Sequence, residues 1–222
     1  MKFPLVGASL LLSKNPYILK KAIFIILVVL LVDQISKIYI KTNFFYGEEV
    51  VVFDWFRIHF IENNGMAWGA EFGGKTGKLF LTIFRLFAIT GIGYWLYSSI
   101  NKNAHKVLIV AVSLIFAGAL GNIIDSVFYG VIFNTPGGFN TATAFAEQPY
   151  GELFYGKVVD MLYFPMWSGD LPSWIPFLGG KPFTFFNAIF NVADSAISIG
   201  VFLLILFNKK AFPKEEEVEL TD

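Results

Sequence analysis

Four stretches of this chain, residues 22–40, 79–100, 107–128 and 185–207, are apolar over roughly the 20 residues that a helix needs to cross hydrocarbon. Lipid offers no partner to a free backbone N–H or C=O, so such runs must fold as helices and bundle together. A composition that is 55% hydrophobic and 15% charged fits an integral membrane protein, since soluble domains carry about 25% charge. The 222 residues suffice for a single polytopic membrane domain with loops and leave little for a separate soluble one. Lys20 and Lys21 precede the first run as they would a secretory signal, yet no small-residue cleavage site follows. It reads as a retained span.

Basic residues set the orientation. Lys2, Lys14, Lys20 and Lys21 precede the first run, Lys102 and Lys106 separate the second from the third, and Lys209, Lys210 and Lys214 follow the fourth. This bias places both termini in the cytoplasm, together with the acidic tail at 213–222. The long connections 41–78 and 129–184 then lie outside. VVFDWFRIHFIENN in the first alternates apolar and polar residues as short surface strands do. In the second, residues 130–156 are rich in Gly, Thr, Asn and aromatics and read as an exposed insertion, and an apolar pattern returns around Asp160. Pro165, Pro172, Pro176 and Pro182 then exclude a long helix. MWSGDLPSWIPF sets Trp167 and Trp174 on either side of a turn, which suits either an anchor in the headgroup layer or a lid over a site.

Polar residues inside the apolar runs are expensive and point to function. Asp33 and Lys37 share a helix face, either organising a polar site or simply pairing. Asn122 and Asp125 follow the small residues Gly118, Ala119 and Gly121, which suit close helix packing, and either clamp other segments or form a self-satisfied patch. Asn191 and Asp194 repeat the three-residue spacing in the fourth run. Topology thus gathers Asp33, Asp125, Asp160 and Asp194 near one membrane face, with Lys37 and Arg85 the basic residues inside the runs. Arg85 is placed to neutralise an acid or to meet a lipid phosphate. Crowded carboxyl groups cannot all ionise, and two sharing a proton supply a general acid and a general base.

Other chemistries fare worse. The chain has no cysteine and only His59 and His105, which removes thiolate chemistry and gives a zinc site little support. No serine has a histidine suitably placed, and Ser36 and Lys37, as helix neighbours, point apart. A net charge of +0 and the lack of a motif argue against nucleic acid. A proton- or cation-coupled transporter would spread its acids across the membrane, and a noncatalytic lipid-binding protein would leave its substrate whole.

VDQISK around Asp33, ENNGMAWG at 62–69, GALGNIIDS around Asn122 and Asp125, VVD ending at Asp160, and FNVADSAI at 190–197 occur in the order found in bacterial lipoprotein signal peptidase, or signal peptidase II, which the chain resembles from the first run through the fourth. The resemblance implies an all-α polytopic membrane protein with four transmembrane helices, a small β-rich extracytoplasmic cradle and an interfacial amphipathic stretch. It implies an intramembrane aspartic peptidase of the bacterial inner membrane, active near its outer face, with Asp160 and Asp194 catalytic. Asp33, Lys37, Asn64, Asn122, Asp125 and Asn191 would support the site or contact substrate. The implied substrates are diacylglyceryl-prolipoproteins reached from membrane lipid, cut before the lipidated cysteine by a single copy with no cofactor or metal. Two departures stand out: Ser126 occupies a position where the family usually has arginine, and much of 131–156 is inserted before VVD.

Overall fold

The computed structural model describes residues 15–65, 74–135 and 138–213. Among these residues three helices are long and apolar enough to cross a membrane: α1 (Pro16–Asn43), α2 (Gly74–Asn101) and α3 (Lys106–Ile132). α1 starts where Asn15 accepts a hydrogen bond from the Ile18 N–H and Pro16 opens the first turn, where a missing N–H costs nothing. α3 is central. Its most apolar stretch is 50% buried, against 17% for those of α1 and α2, and it packs on α1, α2 and α4.

The apolar run at 185–207 does not become one helix. Its first residues are extended, in β5 (Pro182–Phe185) and β6 (Ile189–Phe190), and α4 spans Val192–Leu206. The start is set by a capping box: the Asn191 side chain accepts from the Asp194 N–H, and the Asp194 carboxylate accepts from the Asn191 N–H. Apolarity alone could not mark that boundary, because buried strands and helices are equally apolar. At 15 residues α4 is about 22 Å long, at about 1.5 Å per residue, shorter than the other three. After Phe207 a single turn, α5 (Asn208–Ala211), continues the chain.

At the end of the bundle where α1 and α3 finish and α4 begins, β1 (Glu49–Phe53), β2 (Phe56–Asn63), β3 (Val158–Tyr163) and β6 form an antiparallel sheet in the order β1-β2-β3-β6. The strands foreseen in VVFDWFRIHFIENN are β1 and β2. β4 (Trp167–Asp170) pairs with β5 as a separate hairpin.

The insertion is less exposed than its composition suggests. Phe139 and Phe145 do face outward, but Phe133 and Ala142 are buried in one cluster with Ile40, Phe60, Tyr129, Val159 and Met161. Its course is irregular, so no periodicity betrays which residues turn inward.

Glycines set the α3–α4 spacing. A Cβ on Gly118 would lie 2.2 Å from the Ala193 carbonyl oxygen, and one on Gly200 would lie 2.6 Å from that of Ala111. Both obstacles are backbone, so only separation of the helices could relieve them. Gly118→Val should therefore cost about 1–3 kcal/mol of stability, the usual range for overpacking, and lower the thermal midpoint of the detergent-solubilised protein. An unchanged midpoint would refute this account of the crossing.

Candidate active site

Two linked polar clusters occupy the junction of α1, α3, α4 and β3. In the first, Lys37 on α1 pairs with Asp33 at 3.0 Å and with Asp125 on α3 at 2.7 Å, all three fully buried. Gln34 completes it, its amide donating to Asp33 at 3.0 Å, to Asp125 at 2.9 Å and to the Gly121 carbonyl at 3.3 Å. Tyr129 donates to the Gln34 carbonyl oxygen at 3.1 Å. Asp33 also accepts from the Ala193 N–H at 2.9 Å, at the start of α4, where helix N–H groups have no helical partner. Gly121 makes room for this carboxylate, because a Cβ there would lie 2.6 Å from Asp33 Oδ2.

The second cluster holds Asp160 and Asp194. Asp160 Oδ1 accepts from Asn191 Nδ2 at 2.7 Å, and its Oδ2 accepts from Asn63. Asp194 Oδ1 accepts from Asn122 Nδ2 at 2.8 Å. Asn191 Nδ2 also donates to Asn122 Oδ1 at 3.2 Å, and that same oxygen accepts from Lys37 Nζ at 2.9 Å. Asn122 therefore joins the clusters. Among the described residues, neither Asp160 nor Asp194 has a basic group within ion-pair distance.

The two acids differ in setting. Asp160 is buried on β3, whereas Asp194 is half-buried in the first turn of α4. Burial, followed by the nearby charge of Asp194, pushes the Asp160 carboxyl up to about 7, with the amides of Asn191 and Asn63 opposing the shift. A carboxyl held there can give a proton at neutral pH, which is what a general acid requires.

The structure thus brings together Asp33, Lys37, Asn122, Asp125, Asp160, Asn191 and Asp194. Arg85 and Asn64 stand differently. Arg85 on α2 donates to the Gly65 carbonyl, and the Asn64 backbone carbonyl accepts from Lys78 at 2.9 Å. In the ENN triplet it is Asn63 whose side chain reaches Asp160. Strand alternation explains this: Asn63 pairs with Val158 and Ile61 with Asp160, so residues 61, 63, 158 and 160 share one face. Counting from a strand end could have found Asn63, and Gln34 was visible beside Asp33 in VDQISK. Among the described residues no three His, Asp or Glu side chains converge as metal ligands.

A family model described as "Signal peptidase (SPase) II" matches residues 25–209. The chain belongs to the signal peptidase II family. This is a family of peptidases, and the long apolar helices make this member a membrane protein. It is 47% identical over 183 residues to the lipoprotein signal peptidase of Porphyromonas gingivalis, covering 82% of this chain and 80% of that protein. It is 36% identical over 209 residues to the lipoprotein signal peptidase of Amoebophilus asiaticus, covering 89% and 83%. Among solved structures, a bacterial membrane enzyme determined by the in meso method at 2.3 Å resolution aligns with a TM-score of 0.55 at 29% identity, covering 90% of this chain and 95% of that one. The bacterial relatives are consistent with an inner-membrane location.

Lys37→Met would strand two buried carboxylates. It should cost about 3–5 kcal/mol, the range for removing one partner of a buried ion pair, and Lys37→Met with Asp125→Asn should recover part of that loss. Unfolding of the purified variants in detergent measures both, and equal destabilisation by the single and double variants would refute the pairing argument.

Proposed function

We propose that this signal peptidase II is an aspartic endopeptidase that removes the signal peptide from prolipoproteins whose cysteine already carries diacylglycerol, cutting immediately before that cysteine. The names of its relatives support the substrate class. The observation that carries the aspartic reading is that Asp160 and Asp194 share the Asn191–Asn122 amide bridge and have no cation at contact distance among the described residues, whereas Asp33 and Asp125 are both paired with Lys37.

In this mechanism Asp160 is the acid and Asp194 the base. Asp194 takes a proton from a water held between the two carboxyl groups, and the water oxygen attacks the scissile carbonyl. Asp160 donates its proton to the carbonyl oxygen, giving a neutral tetrahedral diol. Collapse breaks the C–N bond as a proton passes to the leaving amine, which belongs to the lipidated cysteine, and the signal peptide leaves with a new carboxyl terminus. Water and two carboxyl groups suffice, with no cofactor, and one copy contains every group named.

The same reading has α4 with α5 as a fourth crossing, both termini in the cytoplasm and the site at the outer face. That orientation rests on the lysine distribution. Diacylglyceryl chains would then enter sideways from lipid while the peptide bond meets the carboxyl groups at the polar boundary.

Asp160→Asn and Asp194→Asn, each checked for correct insertion, should lower cleavage of a lipidated precursor by at least about 10²–10⁴-fold, the usual contribution of a general acid or base. Near-parent turnover by either one sinks the mechanism.

A pH profile gives a second test. Asp160 holds its proton below about 7 and loses it above, so activity should fall on the alkaline side with an apparent pKa near that value. Asn63 donates to the ionised form, so Asn63→Ala should move that limb to higher pH. An unmoved limb would remove Asp160 as the titrating acid.

A further inference from the structure

Two cations of α2 turn into the protein without a carboxylate to meet. Lys78, Thr82, Arg85 and Ile89 recur at helical spacing, and Lys78, Thr82 and Ile89 are buried, so this face of α2 looks inward. Ile89 shares an apolar cluster with Ile123 and Val127 of α3, and the Thr82 hydroxyl donates to the Phe154 carbonyl at 3.3 Å. Among the described residues neither Lys78 nor Arg85 has an acid at ion-pair distance. Charges withdrawn from water are costly and persist where other polar groups satisfy them.

One turn satisfies both. Lys78 Nζ donates to the Asn64 carbonyl at 2.9 Å, and Arg85 donates to the Gly65 carbonyl. These two carbonyls directly follow Asn63, whose amide donates to Asp160. Gly65 has a φ of +89°, in the region that favours glycine, and a Cβ there would collide with the Arg85 guanidinium. The arginine is thus packed tightly against the turn.

The 64–65 peptide links the lysine to the acid. Its carbonyl accepts from Lys78, and its N–H, on the opposite edge of the same plane, donates to Asn63 Oδ1. A side-chain amide has an accepting end and a donating end of nearly the same shape. With the Gly65 N–H holding the oxygen, Asn63 Nδ2 is the end left for Asp160 Oδ2. Turned over, the same side chain would set an oxygen against the carboxylate. A peptide plane held at its carbonyl cannot swing its N–H away, and a carbonyl that accepts from an ammonium strengthens that N–H as a donor. Lys37 reaches Asp194 in a similar way, through the amide of Asn122.

We propose that Lys78 and Arg85 are positioning residues for Asp160, gripping the carbonyls of Asn64 and Gly65 so that the Asn63 amide keeps its N–H toward the carboxyl group. The inference deepens the reading of Asp160 as the acid, because a donor to the ionised carboxylate decides how readily its proton leaves.

That proton can be followed without cleavage. The carbonyl stretch of the protonated Asp160 carboxyl group, assigned by its loss in Asp160→Asn, is titrated by infrared difference spectroscopy on the full chain in detergent. Asp33 and Lys37 on α1, Asp125 on α3 and Asp194 on α4, the charged groups gathered around Asp160, are kept in every variant. Asn63→Ala should raise the midpoint by about one pH unit, roughly the worth of one hydrogen bond to a charged group. Lys78→Met and Arg85→Met should each raise it too, and Lys78→Arg, which keeps the donor, should stay near the parent. In the Asn63→Ala background Lys78→Met should add nothing, since the lysine acts through that amide. An equal rise with and without Asn63 would reveal a direct effect of charge and overturn the proposal, as would an unmoved midpoint in Asn63→Ala or in Lys78→Met. Should Lys78→Met fail to insert, Arg85→Met in the same two backgrounds decides by the same criteria. Cleavage that persisted in Asp160→Asn would remove the acid assignment and leave this titration standing.

Discussion

The Lys37 ammonium is the interaction on which the site depends. Removing charges from water costs several kcal/mol each, so a fully buried lysine and two fully buried carboxylates persist only with near-complete mutual satisfaction. Each carboxylate has an outside donor as well: the Ala193 N–H for Asp33, and the Val159 N–H, at 3.5 Å, for Asp125. The ion cluster therefore pins α1 to α3, α1 to the first turn of α4, and α3 to β3. Those joints carry Asp194 and Asp160. Holding the ions together and holding the two acids in place are one structural task.

The same cluster separates the roles of four acids. With Lys37 occupied by Asp33 and Asp125, Asp160 and Asp194 meet amides instead, and amides orient a carboxyl group without supplying a full positive charge. Asn122 touches both sides, accepting from Lys37 and donating to Asp194. An oxygen that accepts from an ammonium polarises its own amide, so the Asn122 N–H is a stronger donor toward Asp194 than an isolated amide would be. Lys37 thus acts on the second cluster at one remove.

Much of this was legible in the sequence, for a physical reason. Hydrocarbon forces helices on apolar runs and penalises each acid within them, so composition and spacing located α1, α2, α3 and the polar residues together. What escaped depends on backbone turns. The run at 185–207 reads as a single helix until Asn191 and Asp194 are recognised as a reciprocal cap, which leaves the residues before it extended. Asn63 and Asn64 are chemically identical, and only strand parity sends the first toward Asp160. Gln34 adjoins Asp33, yet its bridging role appears only when α3 is placed alongside.

The serine at 126 and the insertion are best understood together. Ser126 is fully buried, its hydroxyl turned back to the Asn122 carbonyl at 2.9 Å, while its own carbonyl accepts from the Gly156 N–H at 2.9 Å. A Cβ on Gly156 would lie 2.0 Å from the Asp125 carbonyl oxygen, and one on Gly130 would lie 2.7 Å from that of Glu152. Small residues on both partners let the end of the insertion press onto α3 where the resemblance leads one to expect an arginine, and no room remains for so long a side chain. From there the insertion reaches β2. The Lys41 ammonium, bonded to Glu62, lies over the rings of Phe133 and Tyr150, and Lys157 approaches Glu62 at 3.9 Å. Glu62 and Asn63 point to opposite sides of β2. The insertion grips one face of that strand while the other offers an amide to Asp160, so the insertion helps fix the geometry of that amide through the strand between them.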